Sequence, residues 1–552
     1  MARGSVAAGC AAAVFSDGAS ASRTIGSRSG MAALRGIFDV RDFGAAGDGK
    51  TLDTARINAA VEACSGSGGG VVTLPPGNYL SGTVILRSNV VLHLAAGATL
   101  LGSTNLKDYV DNPVTGTRHL IFARGAENIG VVGPGRIDGQ GDSFWRYIPR
   151  SVPQEDSWKD VATYDYAGDP LRPIQLLEFA ECRNLRIEAL EITNSPCWTL
   201  RPIACDSVFI RGVVIRNSNH GPSTDGIDPT CSQNVFISDC TISTGDDAIC
   251  LKSENPYGTV RASKNITITN CVLTTSCNGI KFGTATQGVL ENITISNCVI
   301  YNDQVDLSAR VIAGLALEMV DGGRMEGVTI SNVRMQNVRT PIFIRLGNRG
   351  ASQRVPTPGT IRGIMLDNVY ATGAVLTSSI TGLPGNDVED VSLANIRIDS
   401  DEGGKAEWVK TQVPELPEKY PEARMFGRLP SFGLYCRHVN GLRLRNVALG
   451  AARSEMRPAI LCDDVKNIDI DSLQAPPVGG GQPLLKFMQA RKAFIRGCSA
   501  PEMGTFLEVA GNQSRAIVVM GNDFSSVERA VSTAPEVEEG SVTMTGNYMR
   551  HV

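Results

Sequence analysis

A short pattern recurs along this chain and restricts what it can fold into. The unit is a polar residue or glycine followed by apolar residues one, three and six positions later. It reads NVVLHLA from Asn89, NIGVVGP from Asn128, NLRIEAL from Asn184, SVFIRGV from Ser207, NVFISDC from Asn234 and NITITNC from Asn265. It continues as NITISNC from Asn292, GVTISNV from Gly327, GIMLDNV from Gly363, DVSLANI from Asp390, GLRLRNV from Gly441, NIDIDSL from Asn467 and KAFIRGC from Lys492, with fainter copies from Ala516 and Ser541. Most starts lie roughly 23 to 36 residues apart, too far for a hairpin and with no helical pattern between. A propeller would need four antiparallel strands in each longer repeat. Alternating strands at this period fit an all-β solenoid whose coils each add one rung to several parallel sheets, a right-handed parallel β-helix. The Asn, Asp or Gly opening each unit suits a turn in the left-handed region.

Composition excludes several functions. Charged residues make up 20% of the 552 residues and the net charge is −4, which gives no electrostatic case for nucleic acid. No apolar run reaches the ~18 residues of a membrane helix. Thr51 to Cys64 has helical apolar spacing and runs into SGSGGG, predicting one short helix that caps the first coil. Cys240, Cys271 and Cys298 share one repeat position, which suits buried free thiols rather than disulfides. The five histidines are scattered and no CxxC pair occurs, which argues against structural zinc.

Residues 1–36 have the layout of a weak secretory leader or of an N-terminal tail, so a secreted or periplasmic location is expected. Residues 37–552 form the coiled domain. Insertions near 142–173, 301–314 and 401–432 break its rhythm, as loops on the binding face of a solenoid do.

A second strand can be stacked in the middle coils: WTLRP from Trp198, DGIDP from Asp225, DAICL from Asp247, NGIKF from Asn278, LALEM from Leu315 and IFIRL from Ile342. Third and fifth positions are apolar and face the core, so second and fourth face outward. The second positions, mostly small from Thr199 to Phe343, would floor a groove for sugar rings. The fourth positions, Arg201, Asp228, Cys250, Lys281, Glu318 and Arg345, would be its polar stripe, on rungs ~4.8 Å apart.

Asp225 in STDGID, and Asp246 and Asp247 in TGDDAICLKS, lie among glycines and apolar residues, with Lys252 closing the second motif. Gly226 and Gly245 would break the strand alternation and let all three carboxylates reach the groove. Like charges this close raise at least one pKa, which suits a general acid beside a general base. An inverting glycosidase needs that pair ~6.5–9.5 Å apart, within reach of adjacent coils. Three aspartates also suit calcium, or simple turn caps.

At these residues the chain resembles glycoside hydrolase family 28, the polygalacturonases and rhamnogalacturonan hydrolases. Ser223-Thr224-Asp225 looks like the family's NTD motif and Gly245-Asp246-Asp247 like its GDD motif. The likeness extends from DVRDFGAAGDGKTLDT through GRIDGQG and NSPCW, and YPEARMFGRLPSFGLYCRHV looks like a bacterial branch. The resemblance implies a right-handed β-helix, inversion, no cofactor or metal, and action on a pectic polysaccharide or oligosaccharide; a monomer is expected. Asp246 would be the general acid, with Asp225 and Asp247 activating water.

Two motifs depart from the family. The GHG histidine is replaced by Asn278, and the RIK segment aligns with Ala316-Leu317-Glu318, so two basic residues that bind galacturonate are missing. Glu318 is expected to repel a substrate carboxylate unless Lys281 or Arg345 pairs with it or reaches the carboxylate itself. A pectic or related glycan with a neutral or differently placed acidic sugar beside the cleavage point is therefore expected rather than homogalacturonan. Asn278, Lys281, Glu318, Arg345, Lys252, Asp228 and Arg201 are the expected substrate-binding residues. A polysaccharide lyase or a non-catalytic carbohydrate-binding β-helix are the competing readings.

Overall fold

The computed structural model describes residues 36–148, 166–303 and 310–549. Its main sheet is built by parallel pairing of each repeat unit with the next. From Val208 the register runs through Val235, Ile266, Ile293, Val328, Ile364, Val391, Leu442, Ile468, Ala493 and Ile517 to Val542. All but the last are buried in one core that extends from Val40 to Ala530. Each fully buried aliphatic contributes about 1.5–3 kcal/mol, so the repeat stabilises the stack at every rung. The fold is a parallel β-helix, as the period required.

The opening residue of the units adopts the left-handed region: Asn89, Asn128, Asn184, Asn234, Asn265, Asn292, Asp390 and Asn467 all have φ between 50° and 63°. Ser207, Lys492 and Ala516 take the same conformation at 56–60°, although it costs a residue with a β-carbon about 1–2 kcal/mol. Several of the asparagines repay the turn with side-chain bonds along the stack. Asn128 donates to Asn89 at 2.9 Å, Asn184 to Asn128 at 2.9 Å, Asn265 to Asn234 at 3.0 Å and Asn292 to Asn265 at 2.8 Å.

The capping helix spans Thr54–Gly66, starting later than its apolar spacing suggests. Asp48–Leu52 is instead a strand paired with Gly77–Ser81, which draws Thr51 and Leu52 into the first coil. Asp53 does not cap the helix through its side chain; its carboxylate accepts the Ala46 and Gly47 N–H groups at 2.8 and 3.0 Å. The thirteen cysteines among the described residues are buried free thiols. None of the described helices is long and apolar enough to cross a membrane.

The insertions are placed differently from one another. Within the first, Trp145–Tyr147 pairs antiparallel with Tyr166–Gly168; residues 149–165 lie outside the described residues, as do residues 1–35 of the leader or tail expected over 1–36 and residues 304–309. The second ends earlier than expected, because Val311–Met319 is already a buried strand. The third, 401–432, folds back over the sheet that carries the carboxylates. Its Ala423, Phe426 and Leu429 form a separate apolar cluster with Ala316 and Phe343.

That packing corrects the expected groove floor. Ala316 and Phe343 do face away from the main core, but the insertion covers them, and two apolar outward positions are natural partners for its apolar side chains. The register of one coil also differs. Ile280 pairs with Leu315 and Lys281 with Ala316, whereas the motif stacking puts Ile280 against Leu317. A shift of two residues leaves every side chain on its own face, so apolar alternation cannot distinguish the two registers.

Candidate active site

Two segments on neighbouring coils carry the carboxylates, and threonines join them. Thr224 Oγ1 donates to the Gly221 carbonyl at 2.9 Å and accepts the Gly245 N–H at 3.0 Å, tying STD to GDD. The Asp246 carbonyl accepts the hydroxyls of Thr244 at 2.6 Å and Thr275 at 2.5 Å, which fixes the backbone between the two acids. The glycines act through close approach rather than unusual torsions. A β-carbon at Gly226 would stand 2.4 Å from the Ala248 carbonyl oxygen, and one at Gly245 would stand 2.4 Å from that of Gly221. Strand pairing resumes only at Ile249, so Asp225, Asp246 and Asp247 escape the alternation that would bury them in the core.

Asp225 and Asp247 are buried, and Asp246 is partly exposed. Both oxygens of Asp247 are bonded: Oδ1 accepts Asn278 Nδ2 at 2.7 Å and Oδ2 lies 3.1 Å from Lys281 Nζ. Burial would raise this carboxyl, but Lys281, Lys252 and the Asn278 amide outweigh it and keep its pKa below the usual range. Asp246 responds to its neighbour. Burial and the Asp247 charge push it up to about 6. One carboxylate held ionised beside one that binds its proton more tightly is the arrangement that acid/base hydrolysis requires.

Asp225 is linked to a buried ion cluster. Its Oδ2 lies 3.3 Å from Lys252 Nζ, and the same ammonium donates to Asp228. Burial, then Asp228 and Asp246, push Asp225 up, with Lys252 pulling the other way. Lys252 stays protonated because the carboxylates of Asp228 and Asp225 outweigh its own burial; its ammonium also stands 4.1 Å from the Trp198 ring centre. Arg201 continues the cluster, 3.0 Å from Glu254 and 3.5 Å from Glu178.

The expected binding residues therefore divide. Asn278, Lys281 and Lys252 touch the catalytic candidates directly. Arg201 and Asp228 are buried and held by protein ion pairs. Arg345 is not in the site: its guanidinium donates to the Glu415 and Leu416 carbonyls at 2.6 and 3.1 Å and to Thr381 and Gly382 at 3.3 Å, anchoring the insertion. Glu318 is 1% exposed and 4.0 Å from Lys281. Burial pushes its acid up to about 8, so it is neutral below that pH and the repulsion expected of it does not arise.

Asp225, Asp228 and Cys250 bring ligand atoms within 4.8 Å of one another, as do Asp246, Asp247 and Cys277. Lys252 occupies the first group with its positive charge and Lys281 the second, and the Cys250 thiol donates to the Gly283 carbonyl at 2.8 Å. The donor sets are thus already charge-compensated by lysines, a poor fit to a hard cation that seeks six to eight oxygens.

Two side chains at the rim have no signal in the repeat. Tyr420 comes from the insertion, its hydroxyl 3.4 Å from Lys281 Nζ. Arg349 follows the strand Val338–Leu346, its guanidinium 5.8 Å from the Tyr420 ring centre. Neither occupies a ladder position, so stacking the coils cannot find them.

The chain matches the family description "Glycosyl hydrolases family 28" over residues 64–418. It is 30% identical to an endo-polygalacturonase of Pectobacterium carotovorum subsp. carotovorum over 313 residues, 53% of this chain and 71% of that protein. A hyperthermoactive exopolygalacturonase of Thermotoga maritima superimposes with a TM-score of 0.56 at 26% identity, covering 66% of this chain and 87% of that one. A family 28 exopolygalacturonase of Yersinia enterocolitica shares the fold over 94% of this chain and 78% of its own, with a TM-score of 0.51 at 19% identity.

Proposed function

Because this chain belongs to glycosyl hydrolase family 28, we propose that it hydrolyses a pectic chain from its ends by a single displacement that inverts the anomeric carbon. Asp246 donates the proton to the departing glycosidic oxygen. Asp225 and Asp247 take the proton of the attacking water, with the negative charge resting mainly on Asp247 and Lys252 keeping Asp225 within reach of ionisation. The observation that carries this reading is the partly exposed Asp246 carboxyl, raised to about 6 beside an Asp247 whose two oxygens are bonded to Asn278 and Lys281. Such a pair separates the acid from the base without any further group.

Attack from chain ends is supported by the 401–432 insertion, whose Ala423, Phe426 and Leu429 pack over Ala316 and Phe343 beyond the Lys281 rung. An uronate-bearing substrate is supported by the polygalacturonase relatives and by the neutral state of Glu318. On long polygalacturonate, short terminal products are expected to accumulate while viscosity falls slowly. A rapid early loss of viscosity would contradict end-on attack. Proton NMR of the first product should show the inverted anomer, and retention would refute the displacement.

The pH dependence follows from the acid. Asp246 must be protonated to act, and its proton is lost as pH rises through about 6. kcat/KM is therefore expected to decline above that pH, approaching tenfold per unit. A profile that stays level to about pH 8 would remove Asp246 from the role.

A further inference from the structure

We propose that Arg349 reads the carboxylate of the uronate sugar bound beside the scissile bond, and that the ring of Tyr420 is the surface on which that sugar lies. This rests on the pectic reading above and names a specificity residue within it.

Arg349 is fixed from one side and open on the other. Its Nε donates to Asp321 Oδ1 at 3.0 Å, and Nη2 donates to Asp321 Oδ2 at 2.5 Å and to the Thr284 carbonyl at 3.0 Å. Asp321 is buried and also accepts the Ala351 N–H at 2.9 Å, so the anchor is itself held. These bonds leave Nη1, with its two donors, without a hydrogen-bond partner among the described residues, on a side chain that is 24% exposed. A pre-positioned guanidinium with open donors fits a carboxylate better than a mobile lysine does.

Tyr420 links this donor to the chemistry. The Arg349 guanidinium and the Lys281 ammonium stand 5.8 and 5.6 Å from the centre of the same ring, and Lys281 reaches Asp247 at 3.1 Å. One lysine head and one aromatic ring thus connect Asp247 to Arg349. The tyrosine is held by its hydroxyl at Lys281 yet remains 50% exposed, so a side chain fixed at its tip still presents surface to solvent. A rigid aromatic body with a bonded polar tip is a low-entropy contact surface.

The other charged groups here are committed elsewhere. Lys281 serves Asp247, and Arg345 serves the insertion. Glu318 is neutral below about pH 8, so it does not cancel the positive charge of Arg349. The cation missing from the ladder at Ala316 and Glu318 is supplied from outside it.

The test compares galacturonate oligosaccharides with their methyl-esterified counterparts as substrates of the wild-type chain and of Arg349→Gln, Arg349→Lys and Tyr420→Ala, each checked by thermal melting. Binding is measured calorimetrically in an Asp246→Asn background. Arg349→Gln should raise KM on the free acid by about 10- to 100-fold, the scale of a lost charge-assisted hydrogen bond, with kcat changed by less than about threefold. KM on the ester should stay within about twofold, because an ester presents no charge to lose. Arg349→Lys should restore part of the loss, and Tyr420→Ala should weaken both substrates alike. An equal loss on acid and ester, or an unchanged KM on the acid, would overturn the proposal. Acid binding in the Asp246→Asn background that Arg349→Gln does not weaken would overturn it while leaving the pectic reading intact. Failure of the wild-type chain to cleave or bind either oligosaccharide would overturn both.

Discussion

Replacing Asp246 with asparagine is expected to reduce the rate of hydrolysis by about 10²-fold or more, the scale of general acid catalysis. The substitution removes the proton and little else. Asparagine keeps an oxygen that can accept the Asp247 N–H, which now bonds Asp246 Oδ1 at 2.9 Å. The backbone frame also survives, because Thr244 and Thr275 hold the Asp246 carbonyl rather than its side chain. The loss should therefore appear in kcat with the melting temperature nearly unchanged. Reducing-end release from polygalacturonate measures it, and an undiminished rate in a folded variant would refute the assignment.

Lys252→Met should be the most destabilising substitution in the site. The ammonium is buried and pairs with both Asp225 and Asp228, so its removal leaves two buried carboxylates without their counter-ion. Breaking a buried ion pair from one side costs about 3–5 kcal/mol, and methionine retains only the apolar contact with Trp198. The pH dependence has a definite sign. Asp225 and Asp228 already have pKa values raised above the unfolded range. Without Lys252 they rise further, so the deficit is present at neutral pH and shrinks as acidification protonates both. Denaturant midpoints at neutral and acidic pH would show this, and a second change, Asp228→Asn, should recover part of the loss. An unchanged midpoint would mean that the cluster is not held by its charges.

Most of the fold was legible because the repeat states one physical requirement many times. Val235, Ile266, Ile293 and Val328 occupy the same place in successive units, and stacking was the way to bury them all. Asn128 and Asn265 signalled left-handed turns because their short amide tolerates that conformation. The aspartates stood out through their cost: carboxylates between glycines and apolar residues need partners. Asn278 and Lys281 proved to be those partners for Asp247, and Lys252 for Asp225. The helix boundary failed where a local pattern competed with pairing to a neighbouring coil, at Thr51 and Leu52.

The sequence by itself determined the parallel β-helix, the outward direction of Lys281, Glu318 and Arg345, and the meeting of Asp225, Asp246 and Asp247. These follow from periodicity, which reports which face a side chain occupies. Only the tertiary structure decided what lies over that face. The 401–432 insertion covers Ala316 and Phe343, takes up Arg345 and brings Tyr420 to Lys281, and no period relates it to the coils it meets. The two-residue difference in register at Lys281 was equally silent, since it moves a side chain along the face without turning it over. The three aspartates that mark the site are local and costly enough to be read from the chain. The residues that we expect to choose the substrate, Arg349 and Tyr420, owe their places to contacts between segments distant in sequence, which a pattern of nearest neighbours does not encode.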